Sequence, residues 1–153
     1  MREYASDPEV MRFLGGAPEG DLDAREVIER WLARWEANGV GHFAVERRED
    51  GRFLGRVGVI VWDARDWQVS TFGDAAEHAQ PELGWALARE HWGRGYATEA
   101  ALAVRDWADC EHLISLIHPD NGQSIRVAQR LGATPTETVT VKDKPAVIWV
   151  HPR

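Results

Sequence analysis

The stretch of this 153-residue chain best equipped for chemistry is Trp92-Gly93-Arg94-Gly95-Tyr96-Ala97-Thr98. Two glycines, one residue apart, stand between a strand-like run (Glu82 to Ala88) and a helical one (Tyr96 to Cys110). In such a strand–turn–helix, successive backbone N–H groups point outward together, and the first helical turn adds partial positive charge. Neither glycine carries a Cβ, so an anion can come close to the backbone. A pyrophosphate needs both properties. The spacing is neither a dinucleotide fingerprint nor a P-loop, for no third glycine is in place and there is no Gly-Lys-Ser/Thr. Glycine ahead of a helix is also, more often than not, only a turn, so the pair alone does not decide. Other groups could move protons. They are Glu82 at the head of the strand, Ser124 three residues after Asn121, and His118, whose imidazole needs little tuning to act near neutral pH. The single cysteine, Cys110, has no His-Asp arrangement to mark it as a nucleophile and reads as a buried helix residue.

The elements that would hold these groups follow from periodicity. From Asp21 to Asn38 the apolar residues Ala24, Val27, Ile28, Trp31, Leu32 and Trp35 recur at three and four, with Asp21 or Asp23 to cap the start and Gly39 to stop it. Gly41 to Arg47 alternates as a strand, Glu49-Asp50-Gly51-Arg52 makes a hairpin turn, and Leu54 to Trp62 is the next strand. Residues 63–81 read as a long polar loop. After the glycine turn, Ala97, Ala100, Ala101, Val104, Trp107 and Ala108 share one helical stripe. Leu113 to Ile117 is a short strand. Asn121 to Leu131 is a helix with Asp120 or Asn121 as cap and Gly132 at the stop. Thr134 to Val141 and Ala146 to Val150 close the chain as a hairpin around Lys142–Pro145. Upstream, residues 7–20 are turn-rich, with an apolar knot of Val10, Met11, Phe13 and Leu14. No repeat or low-complexity linker breaks the chain, so residues 1–153 read as one α/β domain built on a mixed sheet.

Composition narrows the function classes. Lys plus Arg is 18 and Asp plus Glu is 25, a formal net charge of −7. Non-specific nucleic-acid binding and anionic membranes both call for an excess of positive charge, and this chain has the reverse. No apolar run approaches the ~20 residues of a membrane span, and Met1-Arg2-Glu3-Tyr4-Ala5-Ser6-Asp7-Pro8 is not a signal peptide. A soluble cytoplasmic protein is the expectation. The eight tryptophans serve mainly as packing, with Trp62, Trp67, Trp85 and Trp92 the candidates to line a ligand cleft.

The phrase Trp92-Gly93-Arg94-Gly95-Tyr96-Ala97-Thr98-Glu99-Ala100 resembles the acyl-CoA-binding motif of the GNAT superfamily of N-acetyltransferases. Asn121-Gly122-Gln123-Ser124 and the helix ending Leu131-Gly132-Ala133 resemble that superfamily's second hallmark. Asp7-Pro8-Glu9-Val10-Met11-Arg12-Phe13-Leu14 and Gly41-His42-Phe43-Ala44-Val45 are similar to its Rim-type, ribosomal-protein-acetylating branch. The resemblance implies a twisted, mostly antiparallel sheet flanked by helices. It also exposes two departures. The family's usual first strand is missing, which leaves a sheet edge exposed or covered by a second copy in a homodimer. Glu90 stands where Gln or Arg is usual, so Arg89 and Arg94 become the candidates to supply positive charge.

The resemblance further implies direct transfer of an acetyl group from acetyl-CoA, as co-substrate and without a metal, to a primary amine of a protein N-terminus or a small molecule. Leu87 and Ala88 would pair with pantetheine, the Leu87 N–H polarising the thioester carbonyl. Trp92, Gly93, Arg94, Gly95, Tyr96 and Ala97 would hold the pyrophosphate, Thr98 would add a hydroxyl, and Asn121 would orient the CoA. Many members place a proton-donating Tyr seven residues after the Asn, where this chain has Ala128; Ser124 either takes that part or merely caps its helix. Glu82 is the leading general base, against the plainer reading of a surface carboxylate at a strand end, with His118 second. The negative net charge favours a cationic acceptor. A different class of reading, an acyl-CoA-binding module with little or no turnover, is separated by release of free thiol. A nucleotide-phosphate binder fails on the missing Lys and Mg²⁺ ligands.

Overall fold

A computed structural model describes residues 6–14 and 23–153. The turn signals expected over residues 15–20 and the alternative cap Asp21 lie outside the described residues. The first described element is α1 (Pro8–Met11), whose N-cap Asp7 accepts from the Glu9 N–H. Then comes α2 (Ala24–Asn38), capped by Asp23 and stopped by Gly39 in the left-handed conformation, φ 65°. There β-carbon crowding would penalise any other residue, so the glycine ends the helix sharply.

Two strands follow as a hairpin, β1 (His42–Glu46) and β2 (Phe53–Asp63). The segment expected to be a loop instead carries β3 (Gln68–Val69), α3 (Phe72–Ala75) and a 3₁₀ turn before β4 (Ala79–Leu87). Elements of two and four residues are too short to leave a periodic trace. The start of β4 is hidden for another reason: Pro81, which has no N–H for a ladder, sits inside the strand opposite Val61. After the glycine turn come α4 (Tyr96–Ala108), β5 (Ile114–Ile117), α5 (Gly122–Arg130) and the hairpin β6 (Thr134–Val141) and β7 (Lys144–Val150). Helix α4 ends two residues before Cys110 because Asp109 turns left-handed, φ 44°. The β6–β7 turn is just Lys142-Asp143, both at positive φ, so Lys144 and Pro145 belong to β7.

The seven strands among the described residues form one sheet, in the order β1-β2-β4-β5-β7-β6, with β3 paired to the end of β2. Every pairing is antiparallel except β4–β5, which is parallel and consists of a single register pair, Glu82 opposite Ile114. Beyond that pair the two strands part. Strand β2 shows why its two faces differ. Val57, Val59 and Val61 join Leu83, Ala101, Val104 and Leu131 in the core beneath α4. The alternate residues Arg56, Gly58, Ile60 and Trp62 face the other way. Full burial of one such aliphatic side chain is worth roughly 1.5–3 kcal/mol, so this layer fixes the floor on which the opposite face is displayed.

Candidate active site

Two cavities lie side by side where β4 and β5 separate. The first, of about 370 Å³, is walled by Trp85–Leu87, the glycine turn, the start of α4 and one face of α5. Its backbone geometry follows from one bond. Ala88 N–H donates to Leu54 O at 2.8 Å, toward β2. Backbone groups alternate edges along a strand, so Leu87 turns its N–H and C=O to the opened edge. Trp92 Nε1 takes that carbonyl at 2.8 Å, leaving the Leu87 N–H facing the cleft.

At the far end of this cavity Gly93 and Gly95 have φ 71° and 84°, and a Cβ on either would meet no atom within 4 Å. Side chains there would fill the cleft, not the protein. No side chain caps α4 at Gly95, so its first N–H groups stay available to an anion. Thr98 Oγ1 is buried without a hydrogen-bond partner. So are both ring nitrogens of the buried His91, although Nε2 stands 3.3 Å from Glu90 Oε1. Such orphaned groups in a cleft wall fit an absent polar ligand.

Positive charge in this wall comes from Arg12, Arg126 and Arg130, not from the expected pair. Arg89 is ion-paired with the Asp7 cap, and neither Arg94 nor Ala88 is part of the wall. The arginines of α5 were nonetheless visible in principle, since Gly122, Arg126 and Arg130 repeat at four and share a helix face. Glu90 causes no conflict with an anion, because its carboxylate is bonded to Arg52 at 2.6 Å on the exposed side of the turn.

The second cavity, of about 330 Å³, opens on the other side of a shared partition made of Phe13, Leu14, Trp85, Asn121 and Ser124. Glu82 lies in its wall, only 9% exposed, so it is no surface carboxylate. Trp62 Nε1 donates to its Oε2 at 2.6 Å and Leu116 N–H approaches Oε1 at 3.4 Å. Burial pushes the carboxyl above its ordinary pKa, partly offset by these two donors and by Arg56 and Lys142. Gly84, one strand-repeat along, keeps the floor low. A Cβ there would meet only Glu82 Oε1, at 3.9 Å. No turn or motif in the sequence marks this glycine.

Asn121, not Ser124, caps α5: its Oδ1 accepts from Ser124 N–H at 3.2 Å. Its Nδ2 donates to Ser124 Oγ at 3.1 Å, which leaves the Ser124 hydroxyl proton free to donate elsewhere. His118 also lines this cavity, but its Nδ1 accepts from Asp120 N–H at 3.1 Å. The neutral ring then carries its proton on Nε2 and offers a donor, not a base. Of the four tryptophans singled out, Trp62, Trp85 and Trp92 line the cavities and Trp67 does not. Cys110 is not the buried helix residue expected: it is half-buried, two residues past the end of α4, and burial together with Asp109 raises its thiol pKa, which disfavours the thiolate.

A family model described as an acetyltransferase (GNAT) domain matches residues 1–134. The chain belongs to the GNAT acetyltransferases. Among relatives, the uncharacterized protein YkkB of Bacillus subtilis is 32% identical over 149 residues, covering 94% of this chain and 79% of the relative. An acetyltransferase from Agrobacterium tumefaciens superposes with a TM-score of 0.75 at 28% identity, covering 99% of this chain and 82% of that one. The aminoglycoside-modifying AAC(6')-Ib, solved with ribostamycin and coenzyme A, gives a TM-score of 0.73 at 20% identity, covering 99% and 86%. At that identity the likeness is one of fold. The GNAT sheet, split between its fourth and fifth strands, is the frame that both cavities use. As a GNAT enzyme the protein takes its acetyl group from acetyl-CoA, and the first cavity has the donors, cations and orphaned polar groups to suit it. No group of His, Cys, Asp and Glu among the described residues could hold a metal ion, and no described helix is long and apolar enough to cross a membrane.

Proposed function

We propose that this GNAT acetyltransferase passes the acetyl group directly to a primary amine held in the second cavity. The observation that carries the reading is the partition the two cavities share, with Glu82 on one side of it and the Leu87 N–H on the other. When bound, acetyl-CoA supplies the activated acyl group, and the chain does the rest. Glu82 receives the proton that the ammonium must lose, directly or through one water. The Leu87 N–H donates to the thioester oxygen as negative charge grows there. The bond from nitrogen to the acyl carbon forms as the carbon–sulfur bond breaks; the Ser124 hydroxyl gives its proton to the departing sulfur and recovers one from the nitrogen, which must shed its second proton to become the amide. Asn121 Nδ2 positions that hydroxyl. The turn from Trp92 to Thr98, with Arg126 and Arg130, holds the phosphates. Ala88 is left with a packing role.

The acceptor is a small-molecule amine or the α-amine of a protein N-terminus. Release of free thiol from acetyl-CoA on adding primary amines tests the reading. CoA at 100 times its Kd should also add about 2.7 kcal/mol of stability. Thiol release that no amine accelerates, with the CoA-induced rise in Tm intact, would reduce the protein to an acyl-CoA binder.

A further inference from the structure

The second cavity carries a charge opposite to that of the chain. Its described lining contains Arg30, Arg34, Arg56, Lys142 and Lys144 against one carboxylate, Glu82, within a protein of net charge −7. Three separate parts of the fold converge to make it so. Arg30 and Arg34 stand one helical turn apart on α2. Arg56 comes from the outward face of β2, and the two lysines from the β6–β7 hairpin. Arg56 is the most deeply placed, 9% exposed, donating to His42 Nε2 at 2.8 Å with its guanidinium 5.9 Å from the Trp31 ring centre. His42 adds no positive charge of its own: burial and the neighbouring Arg56 and Arg34 hold it neutral. Lys142 Nζ lies 5.9 Å from the centre of the Trp62 ring, the same ring whose N–H is bonded to Glu82. Arg56 and Lys142 therefore act on the proposed base itself, while Arg30 and Lys144 line the same cavity from exposed positions. This lining argues against the cationic acceptor expected from net charge.

We propose that the acceptor is a primary amine bearing a carboxylate or phosphate a few bonds from its nitrogen, held by Arg56 and Lys142 in a field to which Arg30, Arg34 and Lys144 add. The inference rests on the acetyl-transfer reading above and names the class of amine. An anion half-removed from water gains most from cations that are already fixed in place, and guanidinium suits both oxyanions by its planar fork. The same field disfavours the ammonium form of the amine, so it helps Glu82 obtain a neutral nucleophile. A polycation meets like charge on several sides.

The test uses the full chain and pairs of amines matched except for the anion: L-phenylalanine with L-phenylalaninamide, L-alanine with L-alaninamide, phosphoethanolamine with ethanolamine, and kanamycin as the polycation. Thiol release gives kcat/KM, and calorimetry on the CoA-loaded protein gives binding. The anionic member of at least one pair should lead by tenfold or more, with the amino acids and phosphoethanolamine telling carboxylate from phosphate. The lead should fall as salt is raised, and Lys142→Gln, on an exposed turn, should reduce it through KM. Arg56→Gln should reduce it further, its fold checked by an unchanged CoA-induced rise in Tm. Preference for kanamycin or for the uncharged members overturns the inference and leaves acetyl transfer standing. Binding of the anionic members without thiol release sustains it and overturns acetyl transfer. Failure of every anionic member to bind or react overturns it outright.

Discussion

Replacing Glu82 by glutamine should lower activity and raise stability at once, with opposite dependences on pH. The amide is nearly isosteric, and its oxygen can still accept from Trp62 Nε1, so the cavity wall is kept. What is lost is a proton acceptor. General-base roles are worth 10²–10⁴-fold, or about 2.7–5.4 kcal/mol of barrier. The defect should be largest at low pH, where the amine is most protonated, and shrink as rising pH supplies neutral amine unaided. Stability moves the other way. Burial raises the Glu82 pKa above its ordinary 4.5, so the folded chain holds this proton more tightly than the unfolded one. That contribution is complete below about pH 4.5 and is lost as pH rises through the folded value. Glutamine has nothing to lose. The Tm of the variant should therefore gain on the parent as pH rises above about 4.5 and level off once the folded carboxyl has ionised. Each tenfold difference in proton affinity between the two states corresponds to ~1.4 kcal/mol, or roughly 3–6 °C for a chain of this length. Thermal melts across pH 4–9 and initial rates across pH 6–9 read both effects. An unchanged rate at every pH would remove Glu82 from the mechanism, and a Tm difference flat with pH would refute the argument from burial.

Ser124→Ala should cost about 100-fold or less in kcat, because a CoA thiolate leaves tolerably well unaided, and the CoA-induced rise in Tm should persist. Gly93→Val should abolish that rise, since its side chain would project into the cleft; the apo protein should lose only the roughly 1–2 kcal/mol of forcing φ 71° on a β-carbon. Gly84→Val should raise the acceptor KM at least tenfold with CoA binding unchanged, measured by thiol release at saturating acetyl-CoA; equal effects on both substrates would place Gly84 elsewhere than the acceptor floor.

Particular residues show what could be read from the sequence. Gly39 and the alternative caps Asp21 or Asp23 and Asp120 or Asn121 mark their helix ends because capping is local chemistry, written within four residues; the fold uses Asp23 and Asn121. The glycine turn was legible for the same reason, and a whole-chain motif pattern supplied the fold. Charge was not. Net charge averages over the surface, whereas the second cavity draws Arg30, Arg34, Arg56, Lys142 and Lys144 from three places that only the folded sheet brings together. Two periodic hints did exist. Arg30 and Arg34 repeat at four on their helix, as Arg126 and Arg130 do on theirs, and Arg56 alternates with Gly58, Ile60 and Trp62. Which face of each element looks into which cavity is tertiary information. The pairing of Glu90 with Arg52 and of Arg89 with Asp7 is of the same kind, joining residues 38 and 82 positions apart.

The single backbone pair between β4 and β5 has a mechanical consequence. It makes the sheet a hinge with two leaves, one built on β1, β2 and β4 and the other on β5, β6 and β7. What rivets the leaves together is mostly side chain: Ser115 Oγ on Leu83 O at 2.6 Å, and the Glu82 carboxylate, gripped by Trp62 on one leaf and Leu116 on the other. The group proposed to take the proton is thus also a fastener. Glu82 and Leu87 both belong to β4, so any parting of the leaves would carry them together away from Leu116 and from Ser124, which follows β5; the seam that grips Glu82 also sets its alignment with the hydroxyl across the cleft.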